Sequence, residues 1–335
     1  MKSQQKIITY YFFLLIILSA LLASTVGSLD IPLDAIFFGS WTDPMQRIIW
    51  LEIRLPRIIL SGFVGASLGV SGAALQGLFR NPLADPGLIG VSAGAALGAA
   101  VVIVLLSDVA IGSTLNVFLL PLAGLMGAAT VIFLLYVFTK GFRYQGITYL
   151  LLVGIAVNAI AGVAIGVLTY ISTDSELRSL TFWTMGSFGG VTWPLLLPAM
   201  ILMIMAFVLL SPVPRNLDLL QLGEIEARRL GVDVQKVKYR IIFTTAAAVG
   251  SSVAISGMIG FVGLVVPHLV RLIGGVNHTY LLPASAALGA CIMIIADVLA
   301  RLVIAPAELP IGLVTSAIGS PFFLWLIFRM KKNDY

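Results

Sequence analysis

The sequence predicts an all-α polytopic membrane protein of about ten transmembrane helices in two inverted five-helix halves. Three observations carry that expectation. Apolar residues make up 59% of the 335-residue chain against 10% charged, with mean hydropathy +1.07, a balance far from that of a soluble domain. Apolar runs of membrane-spanning length recur along it. Gly69-Val70-Ser71-Gly72, late in the second run, is echoed by Ile255-Ser256-Gly257, late in the seventh, each followed by a proline-broken segment. A repeat of five helices, an odd number, necessarily faces the other way.

The first run, 7–26, follows Lys2 and Lys6 and is read as a retained first helix, its apolar core being long for a signal peptide. Eight more runs follow at 58–79, 87–106, 117–138, 147–170, 192–211, 239–258, 280–300 and 311–328, and a shorter tenth at 262–274 is interrupted by Pro267 and glycines. An elbow, Gln76 to Gly94, joins the second and third. Pro82 and Pro86 end one helix and start the next, and Asp85 is placed to cap a helix beginning at Pro86. Gly87, Gly90, Ser92, Ala93 and Gly94 then allow close helix contact. The longest polar stretch, Ser211 to Arg240, carries a short helical pattern through Leu222, Gly223, Ala227, Leu230 and Gly231. It reads either as an amphipathic helix on the membrane surface or as a docking element for a cytoplasmic protein.

Charge orients these spans. With the N-terminus in the cytoplasm, 15 of the 20 Lys and Arg residues, every lysine among them, fall inside, as the positive-inside rule requires. Five fall outside: Arg47, Arg54, Arg57, Arg178 and Arg301. That all five are arginines points to forked recognition of carboxylates, which a lysine does less well. Trp41, Trp50, Trp183 and Trp193 then lie near the outer interface. Asp297 and Arg301, four apart on one helix face, read as a mutual pair or as part of the outer mouth. The net charge of +5 is that of cytoplasmic loops and not of a nucleic-acid surface.

Several chemistries are excluded. Cys291, the sole cysteine, gives no disulfide and no thiolate metal site. Gly90-Val91-Ser92-Ala93-Gly94 matches a nucleophile pattern, but the two histidines, His268 and His278, fall on the cytoplasmic side away from a base's position. Small-residue helix packing accounts for it. No phosphate-binding GxxxxGK[ST] occurs, so the chain does not hydrolyse ATP through a P-loop of its own. Energy comes from a partner or from an ion gradient, and the middle of the membrane holds few of the ionisable residues that a gradient-driven secondary transporter uses.

RLPR at 54–57, SGAALQGLFRNPLADPGLIGVSAG at 71–94, FWTMGSFGG at 182–190, LGEIEARRLGV at 222–232, ISGMIGFVGLVVPHLVRL at 255–272 and AELPIGLVTSAIGSPFFLWLI at 307–327 together resemble the FecCD family. These are permease subunits of bacterial type II ABC importers for iron-siderophores, haem and vitamin B12. The resemblance runs over nearly the whole chain in order. It implies a single transmembrane permease domain over 1–335 with a cytoplasmic coupling segment at 212–236. It also implies a bacterial inner-membrane location, with both termini cytoplasmic. The implied assembly is a homodimer with one path between the copies, two ATP-binding cassette subunits beneath and a periplasmic substrate-binding protein outside. ATP and Mg belong to the cassette subunits, and the chain itself carries no cofactor, metal or catalytic residue. Arg54, Arg57 and Arg301 match positions that dock the binding protein. Leu222, Gly223, Ala227, Leu230 and Gly231 match the ATPase-coupling element, and Asn81, Leu83 and Thr148 the cytoplasmic gate. Helices 147–170 and 311–328 match the path-lining pair. Haem is the first expected substrate, a ferric siderophore the second and cobalamin the third.

Overall fold

The computed structural model describes residues 3–27, 29–41, 43–107, 113–139 and 146–333. In chain order its α-helices are α1 (Ser3–Thr25), α2 (Leu33–Phe38), α3 (Pro44–Ile48), α4 (Leu55–Phe79), α5 (Val91–Leu105), α6 (Ser113–Thr139), α7 (Gly146–Ile171), α8 (Asp174–Met185), α9 (Trp193–Leu210), α10 (Pro214–Leu220), α11 (Glu224–Arg229), α12 (Val234–Ser256), α13 (Val262–Gly274), α14 (His278–Leu302) and α15 (Ile311–Asn333). In hydrocarbon the backbone must satisfy its own hydrogen bonds, so apolar runs of this length become helices. Among the described residues seven helical segments are long and apolar enough to cross a membrane, and the shorter apolar α5, α13 and α15 complete the ten expected runs.

Three boundaries differ from expectation. The second span reaches back to Pro44 through a π-helical turn, Ile49–Arg54, so Arg54 and Arg57 lie within it instead of ahead of it. No α-helix starts at Pro86: Pro86–Ile89 is a 3-10 turn, and Gly90 at φ 87° reverses the backbone before α5 begins at Val91. That left-handed conformation is cheap only for glycine. Finally, α12 begins at Val234, five residues earlier than the hydropathy run, because the Asp233 carboxylate caps it by accepting the Lys236 N–H at 3.1 Å.

The packing repeats itself between the halves. A Cβ on Gly65 would lie 2.2 Å from the Gly289 carbonyl, and one on Gly69 2.3 Å from that of Ser285, so α4 and α14 touch backbone to backbone. The equivalent pair, α12 and α6, meets at Gly250 against Ala128 and at Gly124 against Ala254. Around these pairs α4 packs on α13 and α14, while α12 packs on α5 and α6. Each half thus lends its second helix to the third and fourth of the other, the exchange expected of two inverted halves.

Candidate functional site

The family-like blocks gather at the two ends of the helix bundle. At one end lie the arginines of RLPR. Arg57 Nε donates to both Asp297 oxygens at 2.9 and 3.1 Å, and its Nη1 to both Glu308 oxygens at 2.9 Å. Arg301 pairs with Asp297 at 3.3 Å and reaches the Ala23 and Val26 carbonyls at 3.4 Å. Arg54 donates to the carbonyls of Ser24 and Thr25 at 2.8 and 3.1 Å and to that of Leu29, where α1 ends and bare carbonyls favour a cation. Arg54, Arg57 and Asp297 are only 5%, 7% and 1% exposed.

Arg57, Arg301, Asp297 and Glu308 together carry no net charge, which is how this much charge is tolerated inside a helix bundle. The Asp297–Arg301 pair read from the sequence is present, within this larger network. Asp297 one turn earlier and the end of α1 take the charge of Arg301. Arg47 and Arg178, by contrast, are exposed.

Three more blocks close around this network. The loop after α8 is wedged between the end of α12 and the start of α15. The Ser187 N–H donates to the Ser256 carbonyl at 2.8 Å, and the Ile311 N–H to that of Gly186 at 3.0 Å. A Cβ on Gly257 would lie 2.1 Å from the Trp183 carbonyl, and one on Gly189 3.5 Å from Glu308 Oε2. FWTMGSFGG, ISG and AELPIG, far apart in sequence, are one surface.

The elbow forms the opposite end. Arg80 ends α4 in the left-handed conformation at φ 51°, with the Asn81 N–H returning to the Gln76 carbonyl at 3.1 Å. Asn81 Oδ1 accepts the Leu83 N–H at 2.9 Å, which shapes the turn. Asp85 Oδ1 accepts the Gly87 N–H at 2.7 Å, and burial pushes its carboxyl above the ordinary aspartate range against that hydrogen bond. The expected path-lining helix α7 lies directly on the elbow: Asn158 Nδ2 donates to the Gly87 carbonyl at 3.2 Å, and a Cβ on Gly154 would lie 2.2 Å from that of Leu88. Of the gate residues, Asn81 is exposed and Leu83 half-buried. Thr148 falls in the first turn of α7, and its side chain lies outside the described residues, as do Lys2, Lys140 and Arg143 of the basic count.

Beside the elbow, the polar stretch folds into α10 and α11. Lys238, buried in α12, holds Glu224 of α11 at 2.6 Å. Leu222, Ile225 and Leu230 are 63%, 70% and 57% exposed. Gly223 and Gly231, at φ 108° and 85°, bracket the short helix. Ala227 is fully buried within the chain, where α11 packs on α10 and α12. Ala227 thus spends its methyl on packing within the chain, and Ile225, which the sequence reading passed over, is the more exposed apolar side chain.

The model of the FecCD transport family matches residues 13–329. The chain belongs to the FecCD family. Among FecCD relatives, the hemin transport system permease protein HmuU of Yersinia pestis is 44% identical over 314 residues, covering 94% of this chain and 93% of that one. The vitamin B12 import system permease protein BtuC of Vibrio cholerae is 42% identical over 294 residues, covering 87% and 86%. A solved inward-facing ABC transporter structure of the metal-chelate type superposes with TM-score 0.85 at 33% identity, covering 96% of this chain and 99% of that one.

A FecCD chain is a multi-pass permease subunit of an ABC importer and not itself an enzyme. Such a permease implies ATPase partners, which removes the gradient-driven alternative. Sequence reading missed several residues of both ends: Glu308 and Asp297 as partners of Arg57, and Gln76, Asp218 and Gln221 around the elbow. Glu308, in the AELP block just ahead of α15, was the most visible of them.

Proposed function

We propose that this FecCD permease carries haem across the bacterial inner membrane, as a homodimer seated on two ATP-binding cassette subunits and fed by a periplasmic binding protein. The observation that carries the substrate is the 44% identity, over almost the whole of both chains, to a protein named for hemin transport. The walls of the expected path agree with a flat apolar macrocycle. On α7, Ile155, Ile160, Val163, Val167 and Tyr170 are exposed, and neither α7 nor α15 contains a histidine to trap the iron. Cobalamin is the second reading, supported by 42% identity to a vitamin B12 permease. Proteoliposomes holding permease, ATPase and binding protein test the choice: ATP-dependent accumulation of haem is expected, and accumulation of cobalamin without haem reverses the order.

In this reading the elbow faces the cytoplasm, and Asn81 and Leu83 of the two copies, with Thr148, close the path. Cysteines at Asn81 and Leu83 are expected to crosslink between copies in the resting complex and several-fold less when nucleotide and binding protein open the gate. Crosslinking indifferent to both would make the turn static.

The arginine end then faces the periplasm, where acidic residues of the binding protein meet the arginines. Arg57 faces Asp297 with Nε and Nη2 and Glu308 with Nη1, so a docking carboxylate competes first with Glu308, which is the half-exposed partner at 45%. Glu308 sits between α14 and α15, so its release is a direct way to loosen the start of a path-lining helix. Glu308→Gln weakens the resident competitor. It is expected to tighten docking about two- to fivefold, the range of an exposed ion pair. Unchanged or weaker docking, measured on transporter in nanodiscs, would place the binding protein elsewhere. Arg54, committed to three carbonyls, contributes to this end chiefly by holding α1.

A further inference from the structure

The chain treats the arginines at its two ends in different ways. At the arginine end each has its own counter-charge or a set of carbonyls. At the elbow, Arg271 of α13 is half-buried, yet among the described residues its one hydrogen bond is Nη1 to the neutral Gln76 Oε1 at 2.5 Å, and no carboxylate pairs with it. Gln76 cannot be turned to serve it differently, because Nε2 donates to the Ala84 and Gly263 carbonyls at 3.2 and 3.3 Å.

Arg271 lines a cavity of about 520 Å³ together with Gln76, Arg80, Asp218, Gln221 and His278. Asp218 is the one acid of that lining, and it is already engaged: Oδ1 accepts the His278 backbone N–H at 2.9 Å and lies 2.6 Å from its ring Nδ1. Two guanidiniums from different helices, one half-buried and one at the exposed C-cap of α4, therefore share a space with a single carboxylate, held by His278, so the lining keeps a net positive charge.

We propose that this cavity is a seat for a phosphate-class oxyanion, either free phosphate or the headgroup of an anionic lipid. Paired guanidinium forks suit the several oxygens of a phosphate, and the volume far exceeds what one carboxylate group fills. The walls of the seat come from the end of α4, which carries the gate turn, from α10, which leads into the coupling segment, and from α13 and α14. A bound oxyanion ties these four together. It stiffens the joint between coupling segment and gate beyond the Gln221–Gly77, Asp218–His278 and Arg271–Gln76 contacts already there.

The test uses the full-length chain. In neutral detergent, its melting is followed as inorganic phosphate replaces chloride at constant ionic strength. In parallel, native mass spectrometry counts phosphatidylglycerol retained from mixed nanodiscs against phosphatidylcholine alone. Binding to the folded state raises the melting temperature, and loss of a forked, charge-assisted contact is expected to weaken binding at least about tenfold. Arg271→Gln should lose the effect, and Arg271→Lys should restore only part of it, since the charge returns without the fork. Arg80→Gln, at an exposed site that does not threaten the fold, should weaken it several-fold. Arg228→Gln, on α11 outside the cavity lining, should match wild type.

Protection by phosphate identifies the free ion, and selective retention of phosphatidylglycerol identifies the headgroup. Two results overturn the proposal. One is a wild-type chain that responds to neither probe, including the case in which the cavity is ordered only by the ATPase, which would assign it to a protein carboxylate. The other is an Arg80→Gln variant and an Arg271→Lys variant that both respond like wild type.

Discussion

Replacing Arg57 with alanine is expected to destabilise the folded chain by about 3–5 kcal/mol, the cost of leaving a buried carboxylate without its partner. Asp297 is 1% exposed and holds Arg57 through both oxygens. Arg301 remains within 3.3 Å of it, yet that single slanted contact replaces a two-point one and leaves Glu308 without its cation. The same logic gives an internal control. The double variant Arg57→Met/Asp297→Leu removes the stranded charge and fills the space, so it should recover a large part of the loss, with Arg301 still served by the Ala23 and Val26 carbonyls. Unfolding in micelles, followed by denaturant titration, measures both. An Arg57→Ala variant within about 1 kcal/mol of wild type would mean that this network is as weak as a surface pair.

The second large effect belongs to the coupling segment. Converting Ile225 and Leu230 to aspartate is expected to weaken ATPase association at least about a hundredfold. Burying a large aliphatic side chain at an interface contributes about 1.5–3 kcal/mol. Both side chains are more than half exposed in the chain alone, so the permease itself should purify and melt as wild type does. Ala227→Trp must behave differently: Ala227 is fully buried, and added volume there disrupts the packing of α11 on its own neighbours. Retention of the ATPase by the double aspartate variant would favour the other reading of this segment, an amphipathic helix that serves the membrane surface.

The helical architecture was legible because a membrane span is a local property. Twenty or so apolar residues announce a helix whatever lies beside them, and even the short, broken α13 was visible. Boundaries were less so, since hydropathy does not see a cap: Asp233 starts α12 early, and Gly90 delays α5. The arginine network was legible only where it is local. Asp297 and Arg301 are four apart and could be paired from their spacing, whereas Arg57 and Asp297 are 240 residues apart, and nothing in either neighbourhood names the other. For the same reason, Arg57 and Arg301 read as groups awaiting an external acid while Asp297 and Glu308 stand on the chain itself. Ala227 and Ile225 mark a different limit, because a helix of six residues is too short for periodicity to say which side faces in.

The most direct measurement is ATP hydrolysis by the assembled complex, with permease, ATPase and binding protein in nanodiscs and the binding protein loaded in turn with haem, a ferric siderophore and cobalamin. Haem-loaded binding protein should stimulate hydrolysis most, and the Ile225/Leu230 double aspartate variant should abolish the stimulation along with ATPase association. Hydrolysis that cobalamin stimulates and haem does not, or that haem stimulates equally in the double variant, would contradict the proposed substrate in the first case and the proposed coupling surface in the second.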